Sequence, residues 1–301
     1  MEVLQRVPTF SVTTKKKSDL GRYLRKLTGK RRALSLNESG NARQPEVITG
    51  VRKIILFKQA AMLRILLALL CLFYTSSVDA QESFNPEVWL RRAEQSLSKV
   101  ESYVAVFHKQ ERIRGNLTQG ETVLFKFKKP FKVYMKWTKE PYYGRESLYV
   151  EGCNNNLMKV HECGLLGLHL DLDPRGPLVM KGSRHPITDS GIENLLNLIG
   201  RNLKKGIGRG EISIRQLEAE KIYGRDTRQI EIVFPESPAR GYYCYRAVIN
   251  IDAESELPIR VQIFDWDDKL VESYGYEAVE MNAGLTDADF DPRNPAYGFR
   301  K

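Results

Sequence analysis

Residues 123–137 read VLFKFKKPFKVYMKW, and the alternation in this stretch decides the fold class. Val123, Phe125 and Phe127 alternate with Leu124, Lys126 and Lys128. The chain breaks at Pro130, and Phe131, Val133, Met135 and Trp137 then alternate with Lys132, Tyr134 and Lys136. A period of two sends every second side chain to one face, so the stretch reads as two antiparallel strands with one apolar face and one basic or polar face.

Upstream, Tyr103, Ala105 and Phe107 alternate with Val104, Val106 and His108 and add a third strand. Before it, Asn85, Pro86 and Glu87 read as a helix N-cap, first-turn proline and first-turn acid. Val88, Trp89, Ala93, Leu97 and Val100 then give an amphipathic helix over 86–100. Downstream, strands are expected at 148–151, 157–161 and 168–172, with turn signals at 152–155 and 173–176. A second helix follows Thr188 and Asp189, with a stripe of Ile192, Leu195, Leu196, Ile199 and Leu203 that Lys204-Lys205-Gly206 should end. Strands return at 212–217, 227–234, 242–251, 259–266 and 270–279, and the tail from Asn282 reads as irregular. About ten or eleven strands in hairpin order with helices at only two places make an α+β chain built on one large antiparallel sheet. No repeat or long linker divides residues 81–301, which read as a single domain.

The chain has 301 residues and a formal net charge of +10. Residues 1–80 hold 15 Lys and Arg against 5 Asp and Glu, and the rest of the chain holds 32 of each sign, so the excess belongs to the N-terminal quarter. An isoelectric body without a basic stripe argues against a nucleic-acid partner.

From Met62 the sequence runs through Arg64 and the apolar Ile65–Tyr74 to TSSVDAQ, with Val78 and Ala80 at the −3 and −1 positions. These are the three regions of a secretory signal peptide, which places cleavage at Ala80-Gln81 and makes the mature protein periplasmic or secreted. Residues 1–61 carry Lys15-Lys16-Lys17 and Lys30-Arg31-Arg32 and no sustained apolar period, so they read as an extension upstream of the true start or as disordered. The alternative is an inner-membrane signal anchor behind a basic tail, for which the apolar run is short. In the mature chain Cys153 and Cys163 lie ten residues apart on an expected hairpin and would pair in an oxidising compartment; the alternative is three small buried cysteines, Cys244 included.

No G-x-S-x-G, H-E-x-x-H or phosphate-binding G-x-x-x-x-G-K-[ST] is present. Gly206, Gly208 and Gly210 follow a helix and precede a strand, and read as a flexible turn. His161, Cys163, His169 and Asp171 have no known metal-ligand spacing. Asp287, Asp289 and Asp291 start like a calcium loop, but Pro292 stands at the glycine position, so a capping turn is expected. Glu111-Arg112, Arg184-His185 and Asp265-Trp266-Asp267 place charges inside apolar stretches. Arg184 and His185 would either brace a loop or meet a ligand headgroup.

Several blocks then appear together: QERIRG at 110–115, KPFKVYMKW at 129–137, LYVEG at 148–152, SRHPITDSGI at 183–192 and LTDADFD at 285–291. In this order they resemble a bacterial family called domain of unknown function 1571, over residues 87 to 299. That family is similar in turn to LolA/LolB-like and LppX-like periplasmic proteins, through the succession of strands, Leu257-Pro258-Ile259-Arg260 and the closing Asp-Phe. The resemblance implies an open, strongly curved half-barrel, plugged by helices on a concave side apolar enough to take an acyl chain. It brings no catalytic residue and no cofactor.

The expectation is an exported, non-enzymatic protein that binds a lipid, an acyl chain or a lipidated partner. The lining would be Phe125, Phe127, Val133, Met135 and Trp137, with Leu195, Leu196 and Ile199 from the helix. The rivals are a closed-core scaffold that binds a protein along a sheet edge, and a hydrolase using His185 with Asp189 or Asp265.

Overall fold

The computed structural model describes residues 84–163 and 167–299, with isolated positions 57, 58, 61, 62 and 64. The chain divides into two units, Met1–Ala80 and Gln81–Lys301, and the second carries everything described below. Apart from those isolated positions, the basic extension, the export segment and the cleavage point fall outside the described residues. No helix among the described residues is long and apolar enough to cross a membrane.

Helix α1 (Pro86–Ser98) begins where the Asn85 side chain accepts from the backbone N–H groups of Glu87 and Val88 at 3.1 and 3.0 Å. It buries Trp89, Leu90, Ala93 and Leu97. The strands follow as β1 (Ser102–Ile113), β2 (Asn116–Leu117), β3 (Glu121–Lys128), β4 (Lys132–Trp137), β5 (Glu146–Val150), β6 (Met158–His161) and β7 (His169–Leu172). A short helix α2 (Pro177–Met180) and the long helix α3 (Ile192–Arg209) intervene. The second run is β8 (Ser213–Gln216), β9 (Glu220–Ile222), β10 (Arg225–Val233), β11 (Arg246–Asp252), β12 (Pro258–Phe264) and β13 (Leu270–Met281).

All thirteen strands belong to one sheet in the order β7-β6-β5-β4-β3-β1-β13-β12-β11-β10-β8, with β2 paired to β1 and β9 to β10. The eleven strands of the continuous path match the expected number. The two extra ones span two and three residues, too short for alternation to be visible in sequence. Two meanders meet in the middle, where the first long strand pairs with the last: Phe107 lies opposite Tyr276 and Glu111 opposite Glu272.

The sheet is strongly curled. Strands β7 and β10 stand nine steps apart in the order, roughly 43 Å in a flat sheet at ~4.8 Å per step. Leu170 and Leu172 from β7 nevertheless line the same cavity as Ile232 from β10.

Helix α3 closes the concave side with Ile192, Leu196, Ile199 and Leu203. It runs past the expected stop at Lys204-Lys205-Gly206 and ends at Gly210, which is left-handed at φ 63°. The expectation of a flexible turn at Gly206 and Gly208 is therefore corrected. Gly206 lies inside the helix, and Ile212 packs on it so closely that a Cβ would lie 2.4 Å from its Cγ2. Gly200 gives α1 room in the same way, with Leu90 Cδ1 3.3 Å from where a Cβ would sit.

The basic face of β3, β4 and β5 is covered rather than solvated. The tail lays Phe290 and Phe299 against Tyr134 and Leu148, and Tyr297 stacks on Tyr134 at 4.0 Å between ring centroids. Lys126 bonds Asp289 at 2.9 Å and Lys132 bonds Asp287 at 2.6 Å. Asp287–Phe290 is a 3₁₀ turn with a Thr286–Asp289 capping box, and Asp291 pairs with Arg293.

The Cys153–Cys163 disulfide is a second correction, since all three described cysteines are free thiols. Antiparallel register is the reason. Cys163 follows β6 and packs against Gly144, whereas Cys153 opens the turn at the other end of the β5–β6 hairpin. At roughly 3.3 Å per strand residue the two are on the order of 20–30 Å apart, against the ~7 Å that Cα atoms of a disulfide tolerate.

Candidate functional site

Between the curled sheet and α3 lies a cavity of about 880 Å³. One flank is apolar, with Val123, Met135, Trp137, Met158, Val160 and Leu172 from β3–β7. The other flank is also apolar, with Ile232, Phe234, Ala247, Ile249, Val261 and Ile263 from β10 to β12 and the loop after β10. Leu195, Leu198 and Ile199 of α3 form the roof, and the loop carrying α2 crosses the mouth with Leu178 64% exposed.

Of the expected lining, Met135, Trp137, Leu195 and Ile199 face this cavity. Phe125, Phe127, Val133 and Leu196 do not, and that assignment is corrected: they fill closed core. Phe125 lies between Tyr103 and Phe107, at 5.7 Å from each ring, and Phe127 lies between Tyr103 and Phe131. The start of α3 presses on this aromatic layer. Tyr103 OH accepts from Ile192 N at 2.9 Å, and Gly191, at φ 101°, approaches so closely that a Cβ would lie 3.0 Å from that hydroxyl. Period-two parity picks out the correct face but not how far along it the helices sit.

The middle of the cavity wall is polar and comes from the two central strands. Glu111 of β1 is 2% exposed and Glu272 of β13 is 1% exposed. Glu111 accepts from Tyr274 OH at 2.5 Å and from Arg184 N at 3.0 Å, and Lys109 Nζ lies 3.3 Å from it. Glu272 accepts from Arg184 Nε and, at 2.6 Å, from Tyr243 OH, and His185 Nε2 stands 3.1 Å away. Arg184 and His185 thus brace the mouth loop by pairing with internal carboxylates. Only His185 of the two lines the cavity.

Burial alone would lower the His185 pKa, but the hydrogen bond and charge of Glu272 outweigh it and the net shift is upward. Burial works against the Glu272 carboxylate too, yet His185, Tyr243 and Arg184 hold it below the ordinary carboxylate value. Burial, with the Glu272 charge adding, pushes the thiol of cavity-lining Cys244 up to about 12. At the mouth, Arg145 packs on Tyr142 and Trp137, 4.0 and 5.5 Å from the ring centroids, and pairs with Glu162 at 2.9 Å.

The other sequence candidates lie away from this wall or serve structure. His161 and His169 pair across β6 and β7 with rings stacked 3° from parallel at 4.7 Å, so their in-plane lone pairs do not converge on one ion. Asp265 caps its own turn, accepting from the N–H groups of Asp267 and Lys269. Asp189 lines the cavity but pairs with Arg175, and it makes no hydrogen bond to His185. Glu121, Glu272, Tyr243 and Tyr274 were missed by sequence reasoning. Parity was the available signal, since Glu121 precedes the buried Val123 and Phe125 by even steps and Glu272 shares the face of Tyr274 and Tyr276.

No curated protein matches the sequence. Among solved structures, the lipoprotein LppX of Mycobacterium tuberculosis is similar with a TM-score of 0.41 at 13% identity, over 69% of this chain and 100% of that one. A LolA superfamily protein from Nitrosomonas europaea has a TM-score of 0.30 at 11% identity, over 69% and 98%. MucB has a TM-score of 0.41 at 11% identity, over 68% of this chain, which spans 62% of MucB. A family model matches residues 100–299, and the chain therefore belongs to the family described as Protein of unknown function (DUF1571).

Proposed function

We propose that this is an exported, non-catalytic protein that holds the apolar part of a lipid, an acyl chain or a lipidated partner in the concave cavity. The observation that carries the reading is the cavity itself, about 880 Å³ with two apolar flanks and an apolar roof. At roughly 30 Å³ per water-sized unit, such a space takes on the order of 30 methylenes, one or two long chains. Each methylene buried there contributes about 0.8 kcal/mol, so a chain of ordinary length is held without any catalytic group. The polar wall is consistent with this reading because its buried carboxylates Glu111 and Glu272 are engaged by internal partners that brace the mouth loop. Export rests on the Ile65–Tyr74 segment and the Val78–Ala80 site, and N-terminal sequencing of the cell-envelope form should begin at Gln81.

The test is titration of the purified protein with a fluorescent fatty-acyl probe, followed by displacement with unlabelled chains of increasing length. Saturable binding near one site per chain, tightening with chain length, supports the proposal. A protein that binds no probe while remaining folded would leave the sheet-edge scaffold as the better reading.

A further inference from the structure

We propose that Glu121 is the polar anchor of the cavity and that the chain it takes carries an ammonium group; this rests on the cavity being an alkyl or acyl site. Glu121 opens β3, lines the cavity and is 7% exposed. Its Oε2 accepts from Trp137 Nε1 at 2.6 Å, and its other oxygen bonds nothing among the described residues.

The charge balance of the wall points the same way. Three buried carboxylates, Glu111, Glu121 and Glu272, face the cavity, where the lining side chains that carry fixed positive charge are Lys109, Arg145 and Arg201, while Arg184 reaches Glu272 from outside the lining. Lys109 and Arg184 are engaged elsewhere, and Arg201 of α3 is exposed and pairs with no carboxylate among the described residues. Lys109 lies directly opposite Glu121 in the β1–β3 register, but its ammonium turns away to Glu111 at 3.3 Å and Ser183 at 2.8 Å. Arg184 and His185 belong to Glu272. Farther out, Arg145 pairs with Glu162, and Asp189 is taken by Arg175. Glu121 is thus the one carboxylate of the described wall without a cation, in surroundings where an uncompensated charge is costly.

Trp137 and Tyr142 line the cavity beside Glu121, and the Arg145 guanidinium already rests on both rings. The rings at that end thus already hold one cation, whose charge is answered by Glu162 and not by Glu121. An alkylammonium placed there would donate to the open oxygen of Glu121 while its chain runs along Val123, Met135 and Val160.

The experiment compares dodecylamine, dodecanol and dodecanoate, below their micellar concentrations at pH 7, as displacers of a fluorescent alkyl probe from the full chain. The amine should bind roughly tenfold or more tighter than the alcohol, the range of a hydrogen bond to a charged group, and dodecanoate should bind weakest. Glu121→Gln keeps an acceptor for Trp137, and should bring the amine to the level of the alcohol while leaving the alcohol unchanged. Equal affinities for amine and alcohol in the wild type, or a preference that survives Glu121→Gln, would overturn the anchor while dodecanol binding kept the cavity reading intact. Failure of all three to displace, with no probe bound, would overturn both. The wild-type ranking decides the matter even if the variant does not fold.

Discussion

Glu111 and Glu272 stand directly opposite one another in the pairing of β1 with β13, both buried and both facing the cavity. Like charges in that position repel, and the sheet alone supplies only Lys109 to offset them. The loop at 183–185 provides the remainder: the Arg184 guanidinium, the His185 ring and the Arg184 backbone N–H. The loop over the cavity mouth is therefore tied to the centre of the sheet by charge.

The first consequence concerns Glu272. Glu272→Gln should lower stability by about 1–3 kcal/mol, because Tyr243 and Arg184 lose a charged acceptor. A urea midpoint measured alongside Arg184→Gln and the double variant should show the two losses to be less than additive. Strict additivity would mean that the pair does not hold the loop.

Stability should also depend on pH through the same cluster. His185 has a raised pKa in the folded protein, so its contribution is present below the unfolded value near 6.5 and is lost as pH rises through the higher folded value. Glu272 is lowered, so its contribution is present above the ordinary value near 4.5 and fades as pH falls through the folded one. Melting temperatures should fall on both sides of a window at about pH 5–6.5, and His185→Gln should flatten the alkaline side most, with a smaller loss on the acid side because His185 helps to lower Glu272. An unchanged alkaline slope in that variant would assign it elsewhere.

Substitutions on one strand face should separate cavity from core. Phe125→Ala removes a fully buried ring from the closed aromatic layer and should cost about 3–5 kcal/mol. Met135→Asp, on the next strand, places a carboxylate at the cavity wall where water reaches it, and should leave the protein folded while abolishing binding of fatty-acyl probes. Thermal melting and probe displacement on the two variants check both halves. A Met135→Asp chain that unfolds would mean that the wall is closed.

Thiol chemistry offers a readout of occupancy. Cys153 and Cys163 are exposed and should react quickly with an aromatic disulfide reagent, while buried Cys244, with its pKa near 12, should lag by orders of magnitude. A saturating alkyl ligand should slow Cys244 further and leave the other two unchanged, because only Cys244 lines the cavity. Two fast thiols and one slow one in protein purified without reductant would confirm that no disulfide links Cys153 to Cys163.

Much of the fold was legible because side-chain periodicity is local. The alternation at 123–137, the Asn85 cap and the stripe from Ile192 to Leu203 each mark an element from its own residues. The end of α3 was misjudged because Gly206 reads as a stop, whereas it sits inside the helix where Ile212 leaves no room for a side chain, a contact that helix composition does not encode.

What the sequence by itself determined was the α+β class, the succession of strands and which side chains share a face, since these follow from periods of two and 3.6 in neighbouring residues. Only the tertiary structure decided which part of that face is core and which part is cavity. Phe125 and Met135 face each other across β3 and β4 and belong to the same apolar surface, yet one lies under the start of α3 and the other faces open space. The pairing of Glu111 with Glu272 likewise required β1 and β13, at opposite ends of the domain, to become neighbours. Burial and charge compensation depend on what the rest of the chain brings to a position, and strand alternation carries no record of it.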